Sequence, residues 1–260
     1  RDGDDVDFLV SAQSDVGIVK VTNQDSLSVK TASTPMGKIA FAVLCDGMGG
    51  LQKGEVASAT LVKAFSDWFN CDLKNLIASG FNPMRLQQAW NEIVTFNNQK
   101  IMNYGNNNCI RLGTTITAML IIEGKYYILN IGDTRAYKID DKIDKITQDQ
   151  TVIAREILKG SISEVAAKQD PRRGILLQCV GASNVIAPDF FSGDVKPNEV
   201  YMLCSDGFRH EITEDEMFSN LNPNIVENTY IMDERMKYLI ELNKQRQERD
   251  NISVVLIKTI

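Results

Sequence analysis

One stretch near the start of the chain limits the folds that this sequence can adopt. Residues 39–45 are seven consecutive apolar residues, and Asp46 follows them directly. The β-branched and aromatic members of this run predict a strand that is buried on both faces. Three of the next four residues are glycines (Gly47, Gly49 and Gly50), which let a backbone turn or approach a ligand closely. Asp46 therefore stands at the edge of a hydrophobic core, where an isolated carboxylate is costly unless a counter-charge neutralises it.

An apolar strand meets an aspartate at three further places in the chain. Because the end of one strand and the start of its antiparallel neighbour lie at the same edge of a sheet, we expect these carboxylates to converge. Asp25, in a polar part of an earlier predicted strand, is a candidate fifth member. The further pairs of strand and aspartate are 126–131 with Asp133, 199–204 with Asp206, and 252–257 with Asp250.

Converging carboxylates without Lys or Arg partners repel one another, and a hard divalent cation removes that repulsion. Ligand sets made only of oxygen suit Mg²⁺ or Mn²⁺. Two such ions close together would activate a water and stabilise displacement at phosphorus. The alternative is that each aspartate is a turn residue or a helix N-cap. That reading suits any one of them, but the repetition at matched positions favours a metal site.

Charge and composition exclude several other classes of protein. The net charge of −6 over 260 residues argues against a nucleic-acid partner or an anionic membrane surface. No apolar run approaches the roughly 18 residues of a membrane span, so we expect no membrane insertion for this segment. Five cysteines without a C-x-x-C pair indicate a reducing compartment, and we expect a cytoplasmic protein. The single histidine, His210, argues against a His-rich zinc site or a histidine triad.

The order of predicted elements favours one compact α+β domain with antiparallel strand pairing. Pairs of helices lie between blocks of strands, and residues 151–179 form a helical excursion between strands. We expect strands at 7–14 and 17–30, joined tightly at Gly17. The remaining predictions are helices at 53–70, 83–103, 213–219 and 226–247, an Asn-rich loop at 103–108, and strands at 116–122, 126–131, 135–139, 186–191, 199–204 and 252–257.

Taken together, the motifs resemble the metal-dependent protein serine/threonine phosphatases of the protein phosphatase 2C family (PPM-type), in their bacterial form. Each motif alone is weak, and their order and spacing along nearly the whole chain carry the resemblance. The matching segments are Ser14–Gly17, Asn23–Asp25, Asp46–Gly50, Gly54–Ser58, Gly113–Thr115, Gly132–Tyr137, Thr147–Gln150, Gly181, Ser205–Gly207 and Asp250–Ser253.

The resemblance implies a four-layer sandwich, in which two antiparallel β-sheets are flanked by pairs of helices. It implies a single catalytic domain over residues 1–260, with residues 151–179 as a flap beside the site. The implied reaction is hydrolysis of phosphoserine and phosphothreonine on proteins by a water that two metal ions activate.

The resemblance also assigns roles to individual residues. Asp46 would bridge two Mn²⁺ or Mg²⁺ ions, the Gly47 carbonyl would bind one of them, and Asp206 and Asp250 would bind the other. Asp46, Asp206 and Asp250 are thus the predicted catalytic set, and Asp25 supports the second metal. Gly49 and Gly50 would leave room for a phosphate. Asp133 matches the acidic position of a third, weaker metal.

Four positions depart from the family pattern. Lys20 occupies the position of the phosphate-binding arginine, where it supplies charge without the two-pronged contact of a guanidinium. Gln24 replaces a frequent glutamate and removes a negative charge near the second metal. Met48 replaces the histidine that is proposed as general acid in animal members, so we expect water to protonate the leaving group. His210 replaces an acid that some members use for the third metal, which puts that metal in doubt.

Two rival functions are open at this stage. A non-catalytic regulatory or binding domain could keep the fold, and Lys20 is the feature that favours it. A calcium-binding structural module is disfavoured because no D-x-D-x-D-G loop is present. For the enzyme we expect a phosphoprotein substrate, a monomer, and, by family analogy, a cognate Ser/Thr kinase as partner.

Overall fold

Two antiparallel β-sheets form the centre of the computed structural model, which describes residues 6–48, 53–167 and 170–260. The strands of the first sheet are β1 (Phe8–Asp15), β7 (Arg135–Ile139), β8 (Ile143–Lys145), β10 (Val200–Cys204) and β11 (Ile252–Thr259), in the order β1-β11-β10-β7-β8. The strands of the second sheet are β2 (Asp25–Thr34), β3 (Gly37–Met48), β5 (Ile116–Ile122), β6 (Lys125–Ile131) and β9 (Asp189–Asp194), in the order β2-β3-β5-β6-β9, with β4 (Gly113–Thr114) paired to the end of β3.

Helices lie outside both sheets. Several begin at the residues that their sequences predict: the Asn82 side chain caps the helix that starts with Pro83, and Thr213 with Glu216 forms a capping box. The helices are α1 (Gly54–Cys71), α2 (Leu73–Ala78), α3 (Pro83–Asn108), α4 (Val152–Leu158), α5 (Glu164–Ala167), α6 (Asp206–Arg209), α7 (Glu214–Leu221) and α8 (Thr229–Gln245).

Three hydrophobic clusters separate four layers. Alternate residues of β3 enter different clusters: Phe41 packs toward the helices on the second sheet, and Leu44 packs into the space between the sheets. A third cluster, which includes Tyr137 and Met236, lies between the first sheet and α8. β3 is therefore buried on both faces, as its apolar run predicts. The four-layer α+β sandwich is confirmed.

Predictions about local structure are wrong at two segments, and the strand predicted at 186–191 begins and ends three residues later, as β9. Residues 17–24 are not part of a strand, because β2 begins at Asp25 and pairs with β3, whereas β1 pairs with β11 in the other sheet. The chain needs those residues to pass from one sheet to the other. Residues 103–108 are the last turns of α3, because Gly105 packs against the following chain at Ile110. Tertiary packing there outweighs the low helix propensity of Asn and Gly.

No helix in the described part of the chain combines the length and the apolar character that a membrane span requires.

Candidate active site

Strand register brings the predicted aspartates to one end of the sandwich. In the first sheet, Arg135 and Val254 flank Cys204 on neighbouring strands. Because these three residues lie level, Asp133, Asp206 and Asp250 all lie just beyond the same end of the sheet. This convergence confirms the expectation that was drawn from the strand ends.

In the second sheet, Asp25 and Asp46 are direct cross-strand partners of β2 and β3. Residues that face each other across an antiparallel pair present their side chains on the same face. The sequence predicted that Asp46 follows the strand, and this is wrong. Asp46 lies within β3, because the strand continues to Met48 and pairs there with β4. The two carboxylates are neighbours at the end of the sheet.

Asp25 is buried, and neither of its carboxylate oxygens has a hydrogen-bond partner within the described residues. Burial raises the pKa of Asp25 to about 7; the nearby hydroxyl of Ser253 opposes the shift, and the charge of Asp206 adds to it. Burial also raises the pKa of Asp46 well above its ordinary value, with further contributions from the charges of Asp25 and Asp206. Both shifts have the direction expected of buried carboxylates that repel one another.

Asp206 and Asp250 reach the same place from the first sheet. Asp206 is the first residue of α6, and its buried Oδ1 atom has no hydrogen-bond partner among the residues described. Asp250 lies in the turn before β11, where its Oδ1 atom accepts a hydrogen bond from the backbone of Asn251 and lies 3.0 Å from Nζ of Lys20. Lys20 is thus the cation that enters the carboxylate cluster from the loop between β1 and β2.

The loop that carries Lys20 is held in place by Asn251. The Asn251 side chain accepts from the Gln24 backbone N–H (2.9 Å) and donates to the carbonyls of Val16 (2.9 Å) and Thr22 (3.2 Å). Gly17 allows the close approach of this loop to the Asp250 backbone: its φ is +78°, and a Cβ atom would collide with the Asp250 carbonyl oxygen. The Asp250-Asn251 motif therefore positions the Lys20 loop.

The backbone of Asp46 is fixed by Thr114 and Thr115. The Asp46 N–H donates to the Thr115 hydroxyl (3.0 Å), and the Asp46 carbonyl accepts from the Thr115 N–H (2.9 Å) and the Thr114 hydroxyl (3.0 Å). In the sequence, these threonines belong to one of the family-like motifs, which assigns them no role. Their structural role is to hold Asp46 in position.

Gly47 is required where two backbones meet. A Cβ atom at this position would collide with the carbonyl oxygens of Gly54 and Gln24. Gln24 also donates to Glu55 (3.4 Å), so the first turn of α1 packs directly against the end of β3. The predicted role of Gly49 and Gly50 falls outside the described residues.

Asp133 is buried beside Arg209, which belongs to none of the sequence motifs. Nη2 of Arg209 donates to the Asp133 carbonyl (3.0 Å) and lies 3.7 Å from its Oδ2 atom. Burial and the charge of Asp206 raise the pKa of Asp133 to about 6, and the charge of Arg209 opposes this rise. Arg209 lies three residues after Asp206 in α6, so the helical spacing was the available sequence signal.

His210 lies between two carboxylates. Its Nε2 atom is 3.5 Å from Asp206 Oδ2, and its Nδ1 atom is 3.3 Å from Glu248 Oε2. Glu248 also accepts a hydrogen bond from the backbone N–H of Asp250 (2.8 Å). The only histidine of the chain therefore supports the positions of two aspartates.

The segment 151–179 leaves and rejoins the fold beside Asp133. Leu177 N–H donates to the Gln150 carbonyl (2.8 Å), and Val152 N–H donates to the Ile175 carbonyl (2.9 Å), which joins the two ends of the segment. The Gln150 side chain accepts from the backbone N–H of Gly132 (2.8 Å). The anchored ends of the segment are therefore adjacent to the cluster of carboxylates.

The donor set of the cluster fits a divalent cation. Three buried carboxylate oxygens, two on Asp25 and one on Asp206, have no hydrogen-bond partner, and such atoms are costly unless a cation or donor compensates them. Across the described ranges, no group of three or more Asp, Glu, His or Cys side chains is arranged so that it could hold an ion by itself. Complete ligation by this site therefore requires backbone carbonyls or water in addition to the carboxylates.

Comparisons with known proteins find relatives in sequence and in fold. The chain is 27% identical over 249 residues to the serine/threonine phosphatase stp of Listeria innocua, and the match covers 95% of this chain and 94% of the relative. A crystal structure of a bacterial serine phosphatase is 25% identical with a TM-score of 0.82, over 95% of this chain and 96% of the other. The catalytic domain of the phosphatase PstP in complex with two manganese ions is 24% identical with a TM-score of 0.79, over 98% and 99% of the two chains.

A family model described as protein phosphatase 2C matches residues 19–239, which include the Lys20 loop, both aspartates of the second sheet and Asp206. The match therefore extends through most of the chain and through most of the carboxylate cluster. With the fold and the relatives in agreement, the resemblance first drawn from the sequence motifs is confirmed: this chain belongs to the protein phosphatase 2C family.

Proposed function

We propose that this chain hydrolyses phosphoserine and phosphothreonine on proteins with the help of two divalent metal ions. One observation carries the proposal: aspartates from both sheets meet at one end of the sandwich, where Asp25 and Asp206 keep buried carboxylate oxygens without partners. A domain that had lost catalysis would have no reason to keep such a costly arrangement. The serine/threonine phosphatases among its relatives support the same substrate class.

Five residues would hold the ions. We assign the carboxylates of Asp46, Asp206 and Asp250 and the Gly47 carbonyl as the groups that would hold the ions, with Asp25 in support. Mn²⁺ or Mg²⁺ suits these oxygen donors, and the manganese-bound structural neighbour favours Mn²⁺. When bound, such ions activate a water for attack and stabilise charge on the phosphoryl oxygens.

Lys20 is the group of this chain that would bind the substrate phosphate. Its ammonium lies at the carboxylate cluster, and contact with Asp250, together with the charges of Asp46 and Asp206, raises its pKa against the effect of burial. It therefore stays charged at neutral pH and offers a point charge to the phosphate. Asn251 holds the loop so that this charge remains in place.

Neither His210 nor Met48 is suited to protonate the leaving group. The His210 ring lies between Asp206 and Glu248, and the Met48 side chain carries no exchangeable proton. The proton on the leaving alcohol would therefore come from solvent. Hydrolysis at this site would therefore need no histidine as general acid.

We place two ions in this site. At Asp133, the guanidinium of Arg209 already supplies a positive charge in the position where the family resemblance predicts a third ion. A cation bound there would face a resident cation within a few ångströms, which opposes its binding. We also assign residues 1–260 to a single catalytic domain, with 151–179 as a flap beside the site.

The proposal is tested with a phosphothreonine peptide and an aryl phosphate in the presence of Mn²⁺. We expect activity that EDTA abolishes, and we expect Asp206→Ala to lose at least about a hundredfold in kcat/KM, since metal ions carry most of the charge stabilisation. Asp67→Ala, which removes an exposed carboxylate on α1 outside the cluster, serves as the control. Activity that survives EDTA or Asp206→Ala would overturn the proposal.

Metal titration by calorimetry distinguishes the proposed enzyme from a non-catalytic regulatory or binding domain. A non-catalytic domain predicts no saturable Mn²⁺ binding, whereas the enzyme predicts binding that Asp46→Asn and Asp206→Asn weaken. Absence of saturable Mn²⁺ binding, together with no turnover of either phosphate substrate, would favour the regulatory domain.

A further inference from the structure

A groove lies along the side of the sandwich, away from the carboxylate cluster. It has a volume of about 670 Å³ and runs between the outer strand β2 and the helices α1 and α2. Its apolar lining consists mainly of Ile39, Phe69, Leu73 and Ile77, which belong to or pack on the cluster between helices and sheet. The groove also touches five consecutive residues of β2, 30–34, so it follows the edge of that strand and not one face alone.

The backbone of β2 is unpaired on the groove side. Gly47 N–H donates to the Gln24 carbonyl (3.1 Å), which fixes 24 and 47 as a hydrogen-bonded pair of the ladder. Hydrogen-bonded and non-hydrogen-bonded pairs alternate in an antiparallel ladder, so Thr31 and Ser33 direct their N–H and C=O groups away from β3. Within the described ranges, β2 has β3 as its only strand neighbour.

The rim of the groove is positively charged. Lys30 and Lys74 line it, and no acidic side chain is among the described residues that do so. This excess of positive charge occurs in a chain whose net charge is −6. Lys30 donates to Asn70 (3.1 Å), which directs its ammonium across the groove toward the end of α1.

From these observations, we propose that the groove binds an extended, acidic and apolar peptide segment of a partner protein, which adds a strand to the free edge of β2. Backbone groups of the peptide would pair with Thr31 and Ser33, as in other cases where a peptide extends a sheet beside a helix. Alternate apolar side chains would enter the groove over Phe69 and Leu73. Acidic side chains at its ends would contact Lys30 and Lys74.

The proposed site is separate from catalysis. Asp25 and Thr31 are separated by six residue steps of extended strand, about 20 Å. A peptide at the groove therefore leaves the carboxylate cluster open. Failure of this proposal would leave the proposed phosphatase activity unaffected, and the two are measured separately.

A fluorescent nonapeptide with the sequence Glu-Glu-Val-Thr-Ile-Thr-Val-Glu-Glu tests the proposal by anisotropy at low salt. We expect saturable binding to the wild-type protein. Thr31→Pro removes the outward N–H and keeps the ladder to β3, so it should weaken binding about fivefold or more. Thr31→Val keeps that N–H and is the matched control. Hydrolysis of an aryl phosphate should be unchanged in both variants.

Two further measurements cover the case in which Thr31→Pro does not fold. Lys74→Glu, on an exposed helix position, should weaken binding of the acidic peptide, and the peptide should slow amide hydrogen exchange at Thr31 and Ser33. No saturable binding, equal affinity of Thr31→Pro and Thr31→Val, or unchanged exchange at those amides would overturn the proposal. Light scattering that shows a dimer dependent on the Thr31 N–H would overturn it too, since the edge would then pair with a second copy.

Discussion

At the scale of single residues, Asp25 differs most from an ordinary side chain of its type. Its carboxylate is buried opposite Asp46, and neither oxygen has a partner within the described residues. A surface carboxylate has a pKa near 4, whereas burial raises that of Asp25 to about 7. Without a cation this buried carboxyl takes up a proton more readily than a surface one, whereas a bound cation would favour its charged form.

We predict that Asp25→Asn raises the Tm of the protein in EDTA at pH 8, by at least about 2 °C, because it removes one of the repelling charges. For the wild-type protein in EDTA, stability should fall as pH rises from about 4 to 7, since the folded state binds more protons than the unfolded state in that window. Asp25→Asn should flatten this dependence. Thermal scans across pH measure both effects. A lower Tm for Asp25→Asn in EDTA would contradict them.

Lys20 is the second residue whose environment predicts a measurable effect. Lys20→Met should reduce kcat/KM for an aryl phosphate by about 10-fold or more, because a hydrogen bond to a charged group is lost. Lys20→Arg should retain or increase kcat/KM, since a guanidinium contacts phosphate in two places. Steady-state kinetics of the two variants test this assignment. Equal kinetics of Lys20→Met and wild type would remove Lys20 from the site.

At the scale of elements, the short helix α6 combines functions that the sequence shows only separately. Its first residue, Asp206, joins the carboxylate cluster, and its last, Arg209, contacts Asp133. His210 follows and links Asp206 to Glu248. One turn of helix thus connects the cluster, the predicted third-metal position and the turn before β11.

The arrangement of α6 predicts the metal stoichiometry. Wild-type protein should bind two Mn²⁺ ions, and Arg209→Gln should expose Asp133 and allow a third, weaker ion. Arg209→Lys keeps the charge and should bind two. Calorimetry and native mass spectrometry count the ions. Three ions in the wild type, reduced to two by Asp133→Asn, would contradict the role of Arg209.

At the scale of the whole molecule, the site joins the two sheets. Asp25 and Asp46 come from the second sheet, and Asp206 and Asp250 come from the ends of strands in the first. Ions bound between them would cross-link two layers that otherwise meet through apolar side chains such as Leu44 and Leu203. Metal binding should therefore stabilise the fold as a unit.

We expect Mn²⁺ to increase the unfolding free energy by roughly 2.7 kcal/mol when its concentration is a hundredfold above its Kd. Differential scanning fluorimetry over a series of Mn²⁺ concentrations measures the rise in Tm. Asp206→Asn, which leaves the sheets intact, should reduce that rise. A Tm that does not respond to Mn²⁺ would show that ions do not bind the folded state at this site.

The sequence by itself determined the buried strands and their aspartates. Seven consecutive apolar residues before Asp46, and the apolar runs beside Asp133, Asp206 and Asp250, predict strands through local pattern alone. The same patterns, together with the glycines, carried the resemblance to the phosphatase family. These features are local in the chain, so they can be read without knowing which segments are neighbours.

Only the tertiary structure decided which strands pair and what surrounds each aspartate. The sequence pattern predicts that the first two strands are joined at Gly17, whereas the structure places them in different sheets. Residues 17–24 form the loop that carries and positions Lys20. The tertiary structure also places Arg209 against Asp133 and Asp25 opposite Asp46. The physical reason is that these contacts follow from strand register and from the packing of one sheet on the other. Register and packing depend on residues distant in the chain, which no local pattern contains.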